Sequence, residues 1–389
     1  IRFITDLNKN LSYMQQSLII ITAFLISFAF GDTIYKYNLL SLDKTSRLIL
    51  SITIILVFLV FWSRFSNKLT PHYPFRPQYL KYKLYSFAVV VLCSIVWSYI
   101  ATLLDAGFID YTIDMLVLAP VLFIGLAIYT LCIDRIYADP TDEYYVFGKA
   151  LSEGNWNAIW QQKNFLRMIV LKSQFLPFMY MITLGGIERL LYFTQEYKSQ
   201  DVFNACFVFG IMFDVLIGFF GYFFTSRILD NKILHIEDNI WGWIFCLACY
   251  PPFYYFLHHL FPVIDQASTS SWLTHSSIIG KSILVIQAAT WVVYWWSTLE
   301  FGFKFSNLTW RGLVDTGPYR YFKHPAYLSK NLYWWLGLLP SLFFVDNLER
   351  LKIILGMSAV SLVYYARAKC EERHLSRFAE YKNYQARFN

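Results

Sequence analysis

Apolar stretches of about 20 residues, the length that crosses the hydrocarbon core of a bilayer, recur along this chain from one end to the other. No other feature restricts the fold so severely. Inside lipid there is no water for the backbone, so each spanning segment must satisfy its own N–H and C=O groups, and a helix does this within itself. Length and apolar continuity place spans near residues 11–31, 47–64, 84–105, 112–133, 168–193, 202–227, 239–262, 276–300, 326–345 and 348–370. The expected fold is all-α, a polytopic transmembrane helical bundle of about ten spans followed by a C-terminal cytoplasmic amphipathic helix. Composition agrees: 57% of the residues are hydrophobic and 15% charged, against about 25% charged in soluble domains.

Charge orients the bundle. The connection between the second and third spans carries Arg64, Lys68, Arg76, Lys81 and Lys83 and no acid, whereas the next carries Asp105, Asp110 and Asp114 and no base. Residues 263–275 also lack Lys and Arg, while the following connection has Lys304, Arg311, Arg320 and Lys323. By the positive-inside rule both termini are cytoplasmic. The net charge of +7 makes anionic lipid headgroups natural partners of that face. A bacterial inner membrane is the favoured location, with the endoplasmic reticulum as the alternative. No aromatic-basic module points to nucleic acid.

Six cysteines are scattered along the chain, and the pair Cys246 and Cys249 sits in an apolar segment with no second pair, which reads as helix packing rather than metal binding. No metal site is expected. Asp214 lies midway along the sixth span, where a charge is costly unless paired or facing a cavity; Lys172 and Lys281 are the candidate partners. His258 and His259 read as interfacial. The polar stretch 134–163, with Trp156 and Trp160, reads as a surface helix against the headgroups.

The densest chemistry is in "GPYRYFKHPAYL", residues 317–328. Gly317-Pro318 is a turn, and Tyr319, Tyr321, Lys323 and His324 lead into Pro325, well placed at a first helical position. The amides of Ala326, Tyr327 and Leu328 are then expected to point unpaired toward the interface, forming an anion site beside Lys323 and His324. The bland alternative is a helix start whose basic and aromatic residues only anchor it. The last span ends "YYARAKCEERHLSRFAEYKNYQARF", placing Arg367, Glu371 and Glu372 within two turns. A very short link near 345–347 would fold the last two spans into an antiparallel hairpin. That hairpin sets an anion-binding helix start beside paired carboxylates, a combination suited to a zwitterion such as a methionine-derived cofactor.

These two motifs together resemble the membrane methyltransferases of the isoprenylcysteine carboxyl methyltransferase and phospholipid methyltransferase group. The matching positions are Gly317, Tyr319, His324, Pro325, Tyr327, Glu371, Glu372, Phe378, Tyr381 and Tyr384, within about the last 115 residues. Two positions depart from the pattern: Lys323 stands where Arg is usual, and Ser329 near a frequent Gly. The resemblance implies that residues 271–389 form the cofactor-binding region and that residues 1–270, about seven spans, have a separate role, with a protein partner among the options. It implies S-adenosyl-L-methionine as cofactor, held by Gly317, Tyr319, Tyr321, Lys323, His324, Pro325, Tyr327, Leu328, Glu371 and Glu372, with Arg367 and Glu371 as the catalytic residues. The acceptor would be a membrane lipid or lipidated molecule entering from the bilayer. The same region also resembles the NADPH-dependent sterol reductases, which gives NADPH as the alternative cofactor. A non-enzymatic membrane subunit or transporter is the remaining reading.

Overall fold

The computed structural model describes residues 12–65, 71–104, 107–195, 202–226, 229–254, 278–339, 342 and 345–388. The chain divides into two compact units: Leu18–Asn231, and Lys232–Asn389 together with Ile1–Ser17.

The first unit is helical throughout. After the start of α1 (Tyr13–Lys36) come α2 (Leu42–Phe65), α3 (Leu80–Leu103), α4 (Ile109–Ile133), α5 (Glu143–Ser152), α6 (Trp156–Gln161), α7 (Lys163–Gln195) and α8 (Val202–Phe223). Helix α7 is the centre of this unit: 72% of its most apolar window is buried, against 6% for α4. An apolar helix can leave Leu116, Val117, Val121, Ile124 and Ile128 uncovered only where the surroundings are themselves apolar, which is the condition inside lipid.

The stretch 134–163, expected as a surface helix, packs into this unit. Asp142 caps α5 by accepting from the Tyr145 amide, and Phe147 and Ala150 of that helix are buried. At Gly148 an added Cβ would sit 1.7 Å from the Tyr82 carbonyl oxygen, so α5 packs directly on the backbone of α3. Trp156 and Trp160 remain 64% and 67% exposed. Lys83, counted above among the interfacial bases, is in fact buried; its ammonium donates to Asp134 at 2.5 Å and to Asp142 at 3.0 Å. Asp214 is half-buried in α8, and Lys172 donates to Thr225 Oγ1 at 2.7 Å.

The second unit contains β1 (His235–Ile236), α9 (Ile240–Leu247), α10 (Ile278–Leu299), β2 (Thr309–Trp310), α11 (Pro325–Leu338), α12 (Asn347–Leu375) and α13 (Ala379–Gln385). The two short strands pair antiparallel, His235 opposite Trp310 and Ile236 opposite Thr309.

Eight helices among the described residues are long and apolar enough to cross a membrane: α1, α2, α3, α4, α7, α8, α10 and α12. The protein is a multi-pass integral membrane protein with an all-α bundle fold. Ten spans were expected, and the two differences have physical reasons. In 239–262 the helix ends at Leu247 and gives way to turns ahead of Pro251 and Pro252, which cannot donate to a helical ladder; residues 255–262, including His258 and His259, lie outside the described residues. Helix α11 has 14 residues, about 21 Å of rise, short of a core about 30 Å thick. It stops just ahead of Pro340 in the sequence, and a proline crowds the turn that precedes it. Residues 345 and 346, just ahead of α12, are non-helical, where the short link was placed.

Candidate active site

The site is assembled where α11 starts and α12 ends. The contacts between these helices run in opposite directions along the two chains. Tyr327 meets Glu371, Trp334 meets Tyr364, Trp335 Nε1 donates to Ser361 Oγ at 3.0 Å, and Leu338 packs with Ile353 and Met357. The pair is thus an antiparallel hairpin. Asp346 starts α12 by accepting from the amides of Leu348 and Glu349 at 2.8 and 2.9 Å. With 29 residues, α12 is about 44 Å long, enough to carry Glu371, Glu372 and His374 past the apolar part of the hairpin.

At that end His324, the residue preceding α11, places Nε2 3.2 Å from Glu372 and Nδ1 3.9 Å from Glu371. Tyr327 lies parallel to the His324 ring, centroids 5.5 Å apart, and donates its hydroxyl to Glu371 Oε2 at 2.9 Å. Lys369 holds the other oxygen of Glu372 at 2.9 Å. The clamp predicted to face a ligand from two sides has instead closed on itself. A helix start bearing His and a helix end bearing two carboxylates are complementary to each other before any ligand is considered.

The more unusual group is Arg367. Its guanidinium is buried, donates to Asn307 Oδ1 at 2.7 Å and to the Tyr250 hydroxyl at 3.3 Å, and lies 5.4 and 5.0 Å from the ring centroids of Tyr250 and Tyr327. Among the described residues it makes no ion pair. A buried cation surrounded by neutral partners is costly, and such groups concentrate at functional sites. Arg367 and Glu371, one turn apart, line the same cleft with Tyr327, Asn307, Glu237, Cys246 and His374. The enclosed part of the cleft is about 40 Å³, space for ordered water rather than a nucleoside.

Loops and tail position these groups. The β1–β2 pairing is extended by the Leu234 amide bonding the Trp310 carbonyl at 2.9 Å and the Glu237 amide bonding the Leu308 carbonyl at 2.8 Å. That holds Asn307 against Arg367, and Leu308 takes a left-handed φ of 59° at the bend. His235 Nδ1 lies 2.9 Å from His374 Nε2, fastening the strand to α12. The tail covers the motif: Trp310, Tyr381 and Tyr384 form a core with Phe378, whose ring stacks on Trp310 at 4.5 Å. Tyr384 donates to the Tyr319 carbonyl at 2.7 Å. Burial raises the phenol pKa of Tyr381, and its hydroxyl has no hydrogen-bond partner among the described residues.

Of the predicted cofactor residues, the structure brings His324, Pro325, Tyr327, Glu371 and Glu372 together. Others are elsewhere. Gly317, at φ 57°, fits against Glu300, where a Cβ would come within 2.4 Å of its carboxylate. Tyr319 packs edge-on against Phe301. Tyr321 and Leu328 are 70% and 55% exposed, and Lys323 lies 5.9 Å from the Phe388 ring centroid. The Leu328 amide, expected to be free, bonds the His324 carbonyl at 3.1 Å, because His324 as N-cap already starts the helical ladder. Sequence reasoning missed Asn307, Tyr250, Cys246 and Glu237. Only Asn307 had a local signal, as a polar residue in the amphiphilic loop before the Gly-Pro turn.

The hairpin that gathers these groups lies in the part of the chain that a family model matches. Residues 278–377 match the model of the isoprenylcysteine carboxyl methyltransferase (ICMT) family. The C-terminal region of this chain is therefore isoprenylcysteine carboxyl methyltransferase-like, and the match covers α10, α11, α12 and the loop that supplies Asn307. No curated protein and no solved structure matches the chain.

Proposed function

We propose that this protein is an integral membrane methyltransferase that uses S-adenosyl-L-methionine to modify a lipid or lipidated acceptor at the cytoplasmic face. The observation that carries the reading is Arg367: a buried guanidinium with neutral partners, one turn from the half-exposed carboxylate of Glu371 in one cleft. Opposite charges lining one cleft suit a ligand that carries both, or a zwitterion and an anionic acceptor meeting there.

The donor set fits the charged end of that cofactor, and the buried unpartnered hydroxyl of Tyr381 beside this corner adds a further polar group. The enclosed part of the cleft accounts only for the charged end of the cofactor. The bound cofactor supplies a sulfonium methyl group that is already activated. What the chain contributes is alignment and exclusion of water. Glu371, steadied by Tyr327, holds an ammonium; Arg367 holds the anionic oxygen of the acceptor and keeps it deprotonated, so no general base is needed. Residues 1–270 would shape the acceptor's surroundings or bind a partner. The basic connections at 64–83 and 300–325 are the reason for placing the site on the cytoplasmic side.

Calorimetry of the purified protein with S-adenosylhomocysteine and, separately, with NADPH tests the assignment. Micromolar-range binding of S-adenosylhomocysteine, about −8 kcal/mol, is expected. Binding of NADPH without S-adenosylhomocysteine would replace the reading with the reductase one, and binding of neither would favour a non-enzymatic role.

A further inference from the structure

The end of α10 and the loop that follows it are held from a distant part of the chain. Gln16 and Ser17, near the start of α1, are 4% and 0% exposed. Ser17 Oγ donates to the Leu299 carbonyl at 2.9 Å, and Gln16 Oε1 accepts from the Phe303 amide at 3.1 Å. Leu299 is the last residue of α10, where a helix has no intrahelical donor left for its carbonyls. Gly302, at φ 50°, lets the backbone pass close to α1: an added Cβ would come within 2.5 Å of the Tyr13 carbonyl oxygen. The Lys304 ammonium then lies 4.4 Å from the Tyr13 ring centroid. Gln16 and Phe303 are 287 positions apart, yet residues 13–17 and this loop belong to the same compact unit.

Phe303 is the pivot of the loop. Its side chain is buried, its amide is held by Gln16, and its carbonyl accepts from Arg311 Nη1 at 3.2 Å. Further along, the Leu308 carbonyl accepts from the Glu237 amide at 2.8 Å. Asn307 lies between these two anchors, and its Oδ1 is the group that accepts from Arg367 at 2.7 Å. Ser306, Asn307, Leu308 and Thr309 line the cleft together with Cys246 and Cys370. The placement of Asn307 therefore depends on both anchors. The family match begins at residue 278, so the anchor supplied by Gln16 comes from outside the matched segment.

We infer that Gln16 is a positioning residue for the cleft: through the Phe303 amide it fixes the loop that sets Asn307 against Arg367, and Ser17 supports it at Leu299. Without the Gln16 acceptor the loop keeps its anchor at Leu308 and loses the one at Phe303, so residues 304–307 can swing away from the guanidinium. This role does not depend on what the cleft binds, and its test is separate from that of the methyltransferase reading.

The full-length protein in a neutral detergent is treated with iodoacetamide, and alkylation of each cysteine is followed by peptide mass spectrometry. A thiol behind a closed wall reacts in proportion to the population of the open form. Gln16→Met removes the acceptor at similar volume. It should speed alkylation of Cys246 and Cys370 by about tenfold, the scale of one lost buried hydrogen bond, while Cys93, in the other unit, reacts as in the parent. Gln16→Glu keeps an oxygen for the Phe303 amide and should restore the slow rates. Ser27→Ala removes a buried hydroxyl bond, 2.8 Å to the Ala23 carbonyl, from the same helix and should change none of the three. Should Gln16→Met fail to fold, Ser17→Ala carries the test, with a smaller rise at the same two cysteines. Parental rates at Cys246 and Cys370 in the acceptor-free variant overturn the inference. So does an equal rise at Cys93, which would mark general loosening, and so does a Gln16→Glu variant as reactive as Gln16→Met.

Discussion

Two of the buried cations among the described residues, Lys83 and Arg367, are built on opposite principles. Lys83 is enclosed by carboxylates: Asp134 at 2.5 Å and Asp142 at 3.0 Å, with Asp142 also capping α5. Arg367 has an amide oxygen, a phenol and two ring faces, while the nearest carboxylate on its own helix face, Glu371, is engaged by Tyr327 and His324. In the first cluster the charges are matched inside the fold and hold three helical segments together. In the second no carboxylate among the described residues pairs with the guanidinium, which lines a cleft. Buried charge alone does not mark a functional site; a buried charge whose counter-ion is missing beside a cavity does.

The contrast predicts different consequences when each cation is removed, and the largest is at Lys83. Lys83→Met leaves Asp134 buried with nothing to balance it, and breaking a buried pair from one side costs about 3–5 kcal/mol. The loss should appear as a large drop in the thermal unfolding temperature in detergent, with S-adenosylhomocysteine affinity per folded molecule unchanged. An apparent stability equal to the parent's would show that the Lys83 cluster is not a structural fastening, and the contrast would fall.

Arg367→Met should behave in the opposite sense. Removing a buried charge that lacks a carboxylate partner relieves a desolvation cost, so stability should hold or rise. Turnover of an anionic acceptor should fall by about a hundredfold, equivalent to about 3 kcal/mol of lost charge-assisted contact, and by more than cofactor affinity does. A destabilised variant with normal turnover per folded molecule would make Arg367 a second Lys83.

The two regions also differed in how much of them could be read in advance. The all-helical class and eight of the expected spans followed from apolar length, because a bilayer imposes one length on every span. That rule failed where a proline pair broke the segment after Leu247 and where α11 stopped at Leu338. The site motif was legible because its residues are local: His324 to Tyr327 share one helix start and Arg367 to Glu372 one helix end. What no local pattern carries is partnership across distance. Lys83 meets Asp134 across 51 positions and Arg367 meets Asn307 across 60. Lys83 was therefore read as one more interfacial base, and Asn307 was not read at all. The closing of His324 onto Glu372 was hidden for the same reason, since sequence shows which charges are available and not which of them satisfy one another.

The smallest effects are expected at that closed pair, and they sharpen the comparison most. His324 and Glu372 are 18% and 13% exposed, and partly exposed ion pairs of this kind contribute about 0–1 kcal/mol. His324→Ala should therefore cost little stability. Glu371→Gln keeps an oxygen to accept from Tyr327 and removes only the charge, so it too should fold like the parent. If Glu371 holds the cofactor's ammonium, its loss removes one charge-assisted contact, about 1.5 kcal/mol or tenfold in S-adenosylhomocysteine affinity. His324→Ala should weaken binding less, because in the unliganded protein His324 is already satisfied by Glu372 and must be drawn away to serve a ligand. The order Glu371→Gln worse than His324→Ala is thus specific to a clamp that is closed before binding; an open clamp would make the two equal. Titration of both variants beside the parent measures this directly. Parental affinity in both would mean that the cofactor, if there is one, binds away from the hairpin end.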